Sequence, residues 1–225
     1  GRLFLRIAQQ YPDVHVVAIN SRAATESHKH LFIYDTMYGK FPGSAEINAL
    51  NNLVINGKEV KVFRESDPAQ IPWHEANVDM VIEATGEFVK KSECLKHMKQ
   101  GVKTIIISAP GKDDDGMYVM GVNEQNYKPE QTVISCASCT TNCLAPVAKV
   151  LDEDFKIVSG FMTTVHAYTT DQRLLDNSHY KDLRRARTAG MNIVPTSTGA
   201  AKSIGLVLPQ LKGKLDGVAL RVPVA

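Results

Sequence analysis

The stretch Thr132-Val133-Ile134-Ser135-Cys136-Ala137-Ser138-Cys139-Thr140-Thr141-Asn142-Cys143-Leu144-Ala145-Pro146-Val147-Ala148-Lys149-Val150-Leu151 decides how this chain is read. Its opening is an apolar strand-like run and its close is helix-prone, so the residues between them carry a strand into a helix N-terminus. Free backbone N–H groups and the positive end of the helix dipole favour anions there. Cys139 is therefore expected to shift towards thiolate, its nucleophilic form. Ser138 is a natural N-cap beside it. Pro146 suits a helix interior poorly, which predicts a short first segment or a kink.

Other readings of the same thiols compete. Most cysteines are small apolar packing groups. Cys136, Cys139 and Cys143 also make a C-x2-C-x3-C array, but zinc or an iron–sulfur cluster usually wants a fourth thiolate or histidine. The remaining cysteine, Cys94, lies in an amphipathic segment, and no histidine has finger-like spacing, so no metal is expected.

Composition sets outer limits. The 225 residues suffice for one large domain or two small ones, and 44% hydrophobic with 22% charged residues is ordinary for a soluble globular protein. A formal charge of +2 gives no pull towards nucleic acid or an anionic membrane. No apolar run approaches the ~20 residues of a membrane helix, and no signal peptide is visible. Three of four cysteines crowded into one motif look like reduced thiols of a cytoplasm-like compartment.

Along the chain, Asp13 to Asn20 reads as a buried parallel strand, followed by a long irregular segment. Leu53-Val54-Ile55-Asn56-Gly57-Lys58-Glu59-Val60-Lys61-Val62-Phe63 reads as a hairpin with a type I′ turn. Val78 to Gly86 and Lys103 to Pro110 are further strand candidates, separated by an amphipathic helix through Cys94 and Met98. Their alternation predicts a parallel doubly wound sheet, whose ligands sit beyond the strand C-termini, where Thr85, Gly86 and Ser108 fall. From about Ser138 the runs Lys156–His166 and Gly217–Val222 are strand-like, and Thr198 to Leu211 is helix-prone with Thr198 able to cap it. The polar segment from Thr170 to Pro195 is too long for a casual connection.

The motifs Ser138-Cys139-Thr140-Thr141-Asn142-Cys143-Leu144-Ala145-Pro146, Thr163-Thr164-Val165-His166-Ala167-Tyr168-Thr169, Asp182-Leu183-Arg184-Arg185-Ala186-Arg187, Pro195-Thr196-Ser197-Thr198-Gly199-Ala200-Ala201-Lys202 and Arg221-Val222-Pro223 resemble, in order, those of the phosphorylating glyceraldehyde-3-phosphate dehydrogenases. The resemblance covers essentially the whole chain. It implies an α/β fold: a Rossmann-type doubly wound parallel sheet, its first strand missing, in residues 1–137, and an α+β catalytic domain lacking its C-terminal part in residues 138–225. Gly1 would be the last glycine of a G-x-G-x-x-G turn that, with Arg2, holds the dinucleotide pyrophosphate. Both ends are therefore expected to be cut away.

The resemblance implies roles for individual residues. Cys139 would attack the aldehyde of glyceraldehyde 3-phosphate, and His166, 27 positions later, would act as its base; a lone histidine at a strand end is otherwise more often structural. A thioester would form, and inorganic phosphate would release 1,3-bisphosphoglycerate. Thr169, Asp171 and Arg221 match the substrate-phosphate site, with Asp171 orienting the arginine. Ser138, Thr140, Thr198 and Gly199 match the attacking-phosphate site, with Arg185 close enough to help. Arg184, Arg185 and Arg187 could otherwise be a solvated basic face; with Asp182 adjacent and no interleaved aromatics, nucleic acid is not expected.

Ser21 stands where NAD-specific relatives carry Asp. With Arg22 and Asn177-Ser178 it favours an NADP-capable coenzyme site, NAD or NADP. An adenine contact is left open between Ser66 and Arg64. Cys136, where Asn is usual, adds an oxidisable thiol. A homotetramer and a cytoplasmic location, or a plastid if a transit peptide is lost, are implied. Erythrose-4-phosphate dehydrogenase is the nearest enzymatic rival, and a non-catalytic binding protein or inactive fragment the rival from another class.

Overall fold

The computed structural model describes residues 1–98 and 101–225. Two compact units result: Gly1–Gly116 with Lys128–Cys136, and Met117–Tyr127 with Ala137–Ala225. The sequence reading divides the chain once, after residue 137. The segment Met117–Tyr127 is the difference: Met117, Val119 and Val122 are buried in the core of the second unit.

In the first unit, helix α1 (Arg2–Ala8) leads through a turn at Tyr11–Val14 to strand β1 (Ala18–Asn20). That turn is why the strand is shorter than the expected Asp13–Asn20. The segment read as irregular holds helix α2 (Thr25–Ile33) and strands β2 (Tyr34–Asp35), β3 (Gly39–Lys40) and β4 (Ala45–Ile47). Its helix has Ala24 at the N-cap and no side-chain cap, so the usual start signal is absent.

Strands β5 (Leu53–Ile55) and β6 (Lys58–Phe63) pair antiparallel around Asn56 and Gly57. The φ values of +49° and +79° at those residues are those of a type I′ turn. Strand β7 (Met80–Glu83) is followed by the four-residue helix α3 (Lys91–Cys94), a 3-10 turn at Leu95–Met98, and strand β8 (Thr104–Ile107). The expected amphipathic helix is thus two short pieces that bury Cys94 and His97. The chain passes to the second unit within β9 (Gly116–Met117) and returns for β10 (Val133–Ser135).

The parallel strands expected from the sequence are present, and among the described residues they fall in two sheets. One has the order β1-β6-β5-β4, with β1 and β6 parallel. In the other, β7, β8 and β10 are neighbours and all parallel. β1 and β7 are each an edge strand, so among the described residues no hydrogen-bonded ladder joins the two. Each sheet has its own apolar cluster, around Phe32, Leu53 and Ile55 for the first and around Trp73, Cys94 and Ile105 for the second.

In the second unit, α4 (Cys139–Phe155) is one helix that includes Pro146, so the short first segment, one of the two outcomes expected there, does not form. The proline removes one backbone donor, while Ala145 and Ala148 beside it are fully buried against Ile204 and Val207; that packing holds the helix together. Strands β11 (Gly160–Ala167) and β13 (Leu215–Val222) pair in parallel, β12 (Val194–Ser197) joins β13 antiparallel, and α5 (Ala200–Val207) covers the sheet. This is the α+β arrangement expected of residues 138–225.

Candidate active site

Residue by residue, the local chain places Cys139 at the first position of α4. Ala137 is left-handed at φ +61°, which turns the chain out of β10, and Ser138 is the N-cap, its Oγ accepting from Thr141 N at 3.0 Å. Cys139 is exposed. Its Sγ lies 3.2 Å from Nε2 of His166, near the end of β11. The other ring nitrogen, Nδ1, lies 2.7 Å from the Ala167 carbonyl and 3.0 Å from Arg221 Nη1. Register explains the second contact, because His166 and Arg221 are Cα partners on parallel strands β11 and β13.

Among the described residues, the arginine that pairs with Asp171 is Arg185. The Asp171 carboxylate also faces His179 Nε2 at 3.6 Å. Burial opposes ionisation, but Arg185 and then His179 outweigh it and hold the Asp171 carboxyl below its ordinary value. His179, buried and missed by the sequence reading, ties the loop together: Nε2 donates to the Asp171 carbonyl at 3.0 Å and Nδ1 accepts from Lys181 and Asp182 N–H groups. Asp176 holds Arg187 and Thr188, and Arg173 donates to the Ser178 carbonyl. Nothing in the local sequence marks His179, because all its partners are backbone or loop groups.

Thr198 does not occupy the N-cap of α5, which is Gly199; its Oγ1 accepts from Ala200 N at 3.2 Å. It follows the Ser197–Val218 pair, three residues along β13 from Arg221, a separation of roughly 10 Å. Thr169 sits two residues past β11, its carbonyl accepting from Gln172 N. Thr140 is the second residue of α4.

In the first unit, Ser21 follows β1, its Oγ accepting from Ala23 N, and Arg22 beside it is exposed. Arg64 donates to the Ala23 carbonyl and to Thr25 Oγ1, so it braces the turn after β1. Ser108 N donates to the Glu83 carbonyl at 2.9 Å. Thr85 and Gly86 form the turn after β7, with Gly86 at φ +74° and nothing within 4 Å of the position a Cβ would take. Gly1 is the N-cap of α1, which Arg2 begins, without a side-chain cap. An open left-handed glycine turn past a parallel strand and an uncapped glycine helix start are groups a dinucleotide fits.

A buried network lies behind that turn. Trp73 Nε1 donates to His97 Nδ1 at 3.2 Å, His97 Nε2 meets Glu83 Oε2 at 3.3 Å, and Glu83 Oε1 accepts from Thr85 N at 2.7 Å and Thr85 Oγ1 at 2.5 Å. Burial would raise the Glu83 carboxyl, but the hydrogen bonds from His97 and Thr85 hold it below its ordinary value. The sequence reading missed this network, whose members are 14 and 24 positions apart.

Burial, with Glu83 and Glu93 nearby, pushes Cys94 up to about 11, and burial raises Cys136 as well. Cys136 is nonetheless exposed. Among the described residues no group of three or more His, Cys, Asp or Glu side chains could hold a metal ion, and no helix is long and apolar enough to cross a membrane.

An exposed thiol at a helix N-terminus, within reach of an imidazole whose far nitrogen meets a carbonyl and an arginine, has the geometry used by enzymes that work through a covalent thiol adduct. Comparison with known proteins narrows the class. Residues 1–91 match the NAD binding domain of glyceraldehyde 3-phosphate dehydrogenase, and residues 138–225 match its C-terminal domain. The chain is 54% identical to glyceraldehyde-3-phosphate dehydrogenase 2 of Streptomyces avermitilis, over 100% of this chain and 67% of that protein. It is 54% identical to the enzyme of Geobacillus stearothermophilus (99% and 66%) and 55% identical to the chloroplastic glyceraldehyde-3-phosphate dehydrogenase B of Pisum sativum (99% and 50%). It thus spans about two thirds of the length of these bacterial relatives. The chain belongs to the phosphorylating glyceraldehyde-3-phosphate dehydrogenase family, a family of NAD(P)-linked oxidoreductases.

Proposed function

We propose that Cys139 and His166 carry out the phosphorylating oxidation of glyceraldehyde 3-phosphate to 1,3-bisphosphoglycerate. The supporting observation is the 3.2 Å approach of Cys139 Sγ to His166 Nε2, with the Ala167 carbonyl 2.7 Å from Nδ1. A carbonyl only accepts, so it favours a proton on Nδ1 and leaves Nε2 to take the proton of the thiol. The thiolate adds to the aldehyde carbon, and the new oxyanion takes the proton from Nε2 to give a hemithioacetal. His166, neutral again, accepts the hydroxyl proton as the C–H hydride leaves and the C=O re-forms as a thioester. When bound, the nicotinamide supplies the hydride acceptor. Inorganic phosphate then adds to the thioester carbonyl, the C–S bond breaks, and Cys139 leaves as thiolate.

Arg221 and Thr169 suit the substrate phosphate, and Asp171 acts on that loop through Arg185. Ser138, Thr140, Thr198 and Gly199, at two helix starts, suit the attacking phosphate. Gly1, Arg2, Ser21, Arg22, Thr85, Gly86 and Ser108 would hold the coenzyme. Ser21 and the exposed Arg22, without an acidic side chain at this turn, support acceptance of NADP as well as NAD. In the loop after β11, exposed Leu174, Leu175, Leu183 and Met191 suit burial against further copies, in line with a homotetramer. A cytoplasmic or plastid setting would keep these thiols reduced.

The direct test is to mix the protein with glyceraldehyde 3-phosphate and coenzyme without phosphate, quench in acid and weigh it. A phosphoglyceryl mass on Cys139, cleared by adding phosphate, is expected; a mass unchanged by substrate removes the covalent mechanism.

A further inference from the structure

The chain Trp73–His97–Glu83–Thr85 has a fixed hydrogen-bond polarity. Indole N–H can only donate, so His97 Nδ1 must accept from it at 3.2 Å. The single proton of the neutral ring is therefore on Nε2, which donates to Glu83 Oε2 at 3.3 Å. An ionised carboxylate can only accept, which closes the series at its other end. The three side chains are 6%, 3% and 4% exposed, so no bulk water can replace a missing partner.

The far oxygen of Glu83 shapes the turn after β7. Oε1 takes both the backbone N–H and the hydroxyl of Thr85, and Thr85 Oγ1 in turn accepts from Glu87 N at 3.0 Å. The last of these bonds spans Gly86, whose φ of +74° is left-handed, and the first two anchor its Thr85 end to Glu83. The carboxylate thus fixes the Thr85–Gly86 backbone from behind, leaving its outer side clear.

We propose that Glu83 is a positioning residue for coenzyme binding: held by the Trp73–His97 pair, it sets the conformation in which the Thr85–Gly86 turn receives the dinucleotide. This rests on the assignment of that turn to the coenzyme site. The polarity argument yields a signature that a merely structural carboxylate lacks. In E83Q the amide oxygen can still serve Thr85, but the amide N–H then faces His97 Nε2–H, donor against donor. The ring cannot escape by moving its proton to Nδ1, because Trp73 N–H waits there. Removing that indole in W73F frees Nδ1 to carry the proton, and Nε2 then accepts from the amide. The second substitution should repair the first.

The experiment is calorimetric titration of the protein with NAD and NADP, reading the dissociation constant rather than turnover, with thermal melts to confirm that each variant is folded. Expected are a roughly tenfold weaker constant for E83Q, the order of one buried hydrogen-bond conflict, and for W73F/E83Q a constant within about threefold of W73F alone. G86A, which strains the left-handed turn, checks the underlying assignment and should also bind more weakly. G86A binding like the parent would overturn the assignment and the proposal with it. With G86A weakened, an E83Q constant equal to the parent's, or a double variant no tighter than E83Q, would overturn the role of Glu83 alone.

Discussion

Arg221 Nη1 lies 3.0 Å from His166 Nδ1, the ring nitrogen that faces away from the Cys139 sulfur, because the parallel register of β11 and β13 makes the two residues partners. Nδ1 is shared: the Ala167 carbonyl at 2.7 Å accepts a proton from it, whereas Arg221 can only donate to it. The carbonyl contact is the shorter and suits the protonated Nδ1 that catalysis needs. Arg221 is then the group with donors to spare for an anion.

The expected consequence is that R221A lowers kcat/KM for glyceraldehyde 3-phosphate by roughly 10- to 100-fold, the loss of a charge-assisted contact. Unphosphorylated glyceraldehyde should suffer far less. Comparing the two aldehydes checks this, and an equal loss on both would mean that Arg221 acts on the imidazole instead.

Thiol reactivity should separate cleanly. With Cys94 pushed up to about 11, only about one molecule in several thousand carries its thiolate near pH 7.5. Iodoacetamide followed by peptide mass mapping should therefore mark Cys139 well ahead of Cys94 in the folded protein. H166N should slow the Cys139 reaction and lower kcat by about 10²- to 10⁴-fold. Equal labelling of Cys94 and Cys139 would contradict the pairing.

Asp115 links acid to stability. Burial alone would raise its carboxyl, but Lys91 and the N–H groups of Val133 and Thr132 outweigh this and bring it down to about 2. A depressed carboxyl stabilises the fold above its ordinary value, near 4, and loses that contribution as pH falls towards 2. D115N should therefore cost on the order of 1 to 2 kcal/mol at pH 7, allowing for partial screening, and less at pH 3. Urea midpoints at the two pH values read the difference; a cost that does not shrink in acid would refute it.

Coenzyme choice should turn on the end of β1. Introducing a carboxylate by S21D gives the ribose 2′-OH an acceptor and repels a 2′-phosphate, so the ratio of kcat/KM for NADP to that for NAD should fall at least tenfold. An unchanged ratio would place discrimination elsewhere.

How much was legible follows from how local each signal is. The strand-to-helix passage at Cys139, the Ser138 cap and the Asn56–Gly57 hairpin are set by neighbouring residues, and they could be read directly. Helix α2 starts at Ala24 without a capping side chain, and β2 to β4 are two or three residues long, too short for periodicity to show. The helix does not stop at Pro146, because burial of Ala145 and Ala148 outweighs one lost helix bond. The Asp171–Arg185–His179 cluster and the Glu83–His97–Trp73 series depend on residues brought together by tertiary packing. His166 was found through its motif, but its partnership with Arg221 is a matter of strand register.

The most direct measurement of the central claim is the absorbance of reduced coenzyme formed by the protein with glyceraldehyde 3-phosphate and NAD or NADP, with and without inorganic phosphate. Acyl transfer from Cys139 predicts steady reduction only when phosphate is present, and at most a single turnover per site without it. Steady reduction at the same rate in both conditions, or none from the folded protein, would contradict it.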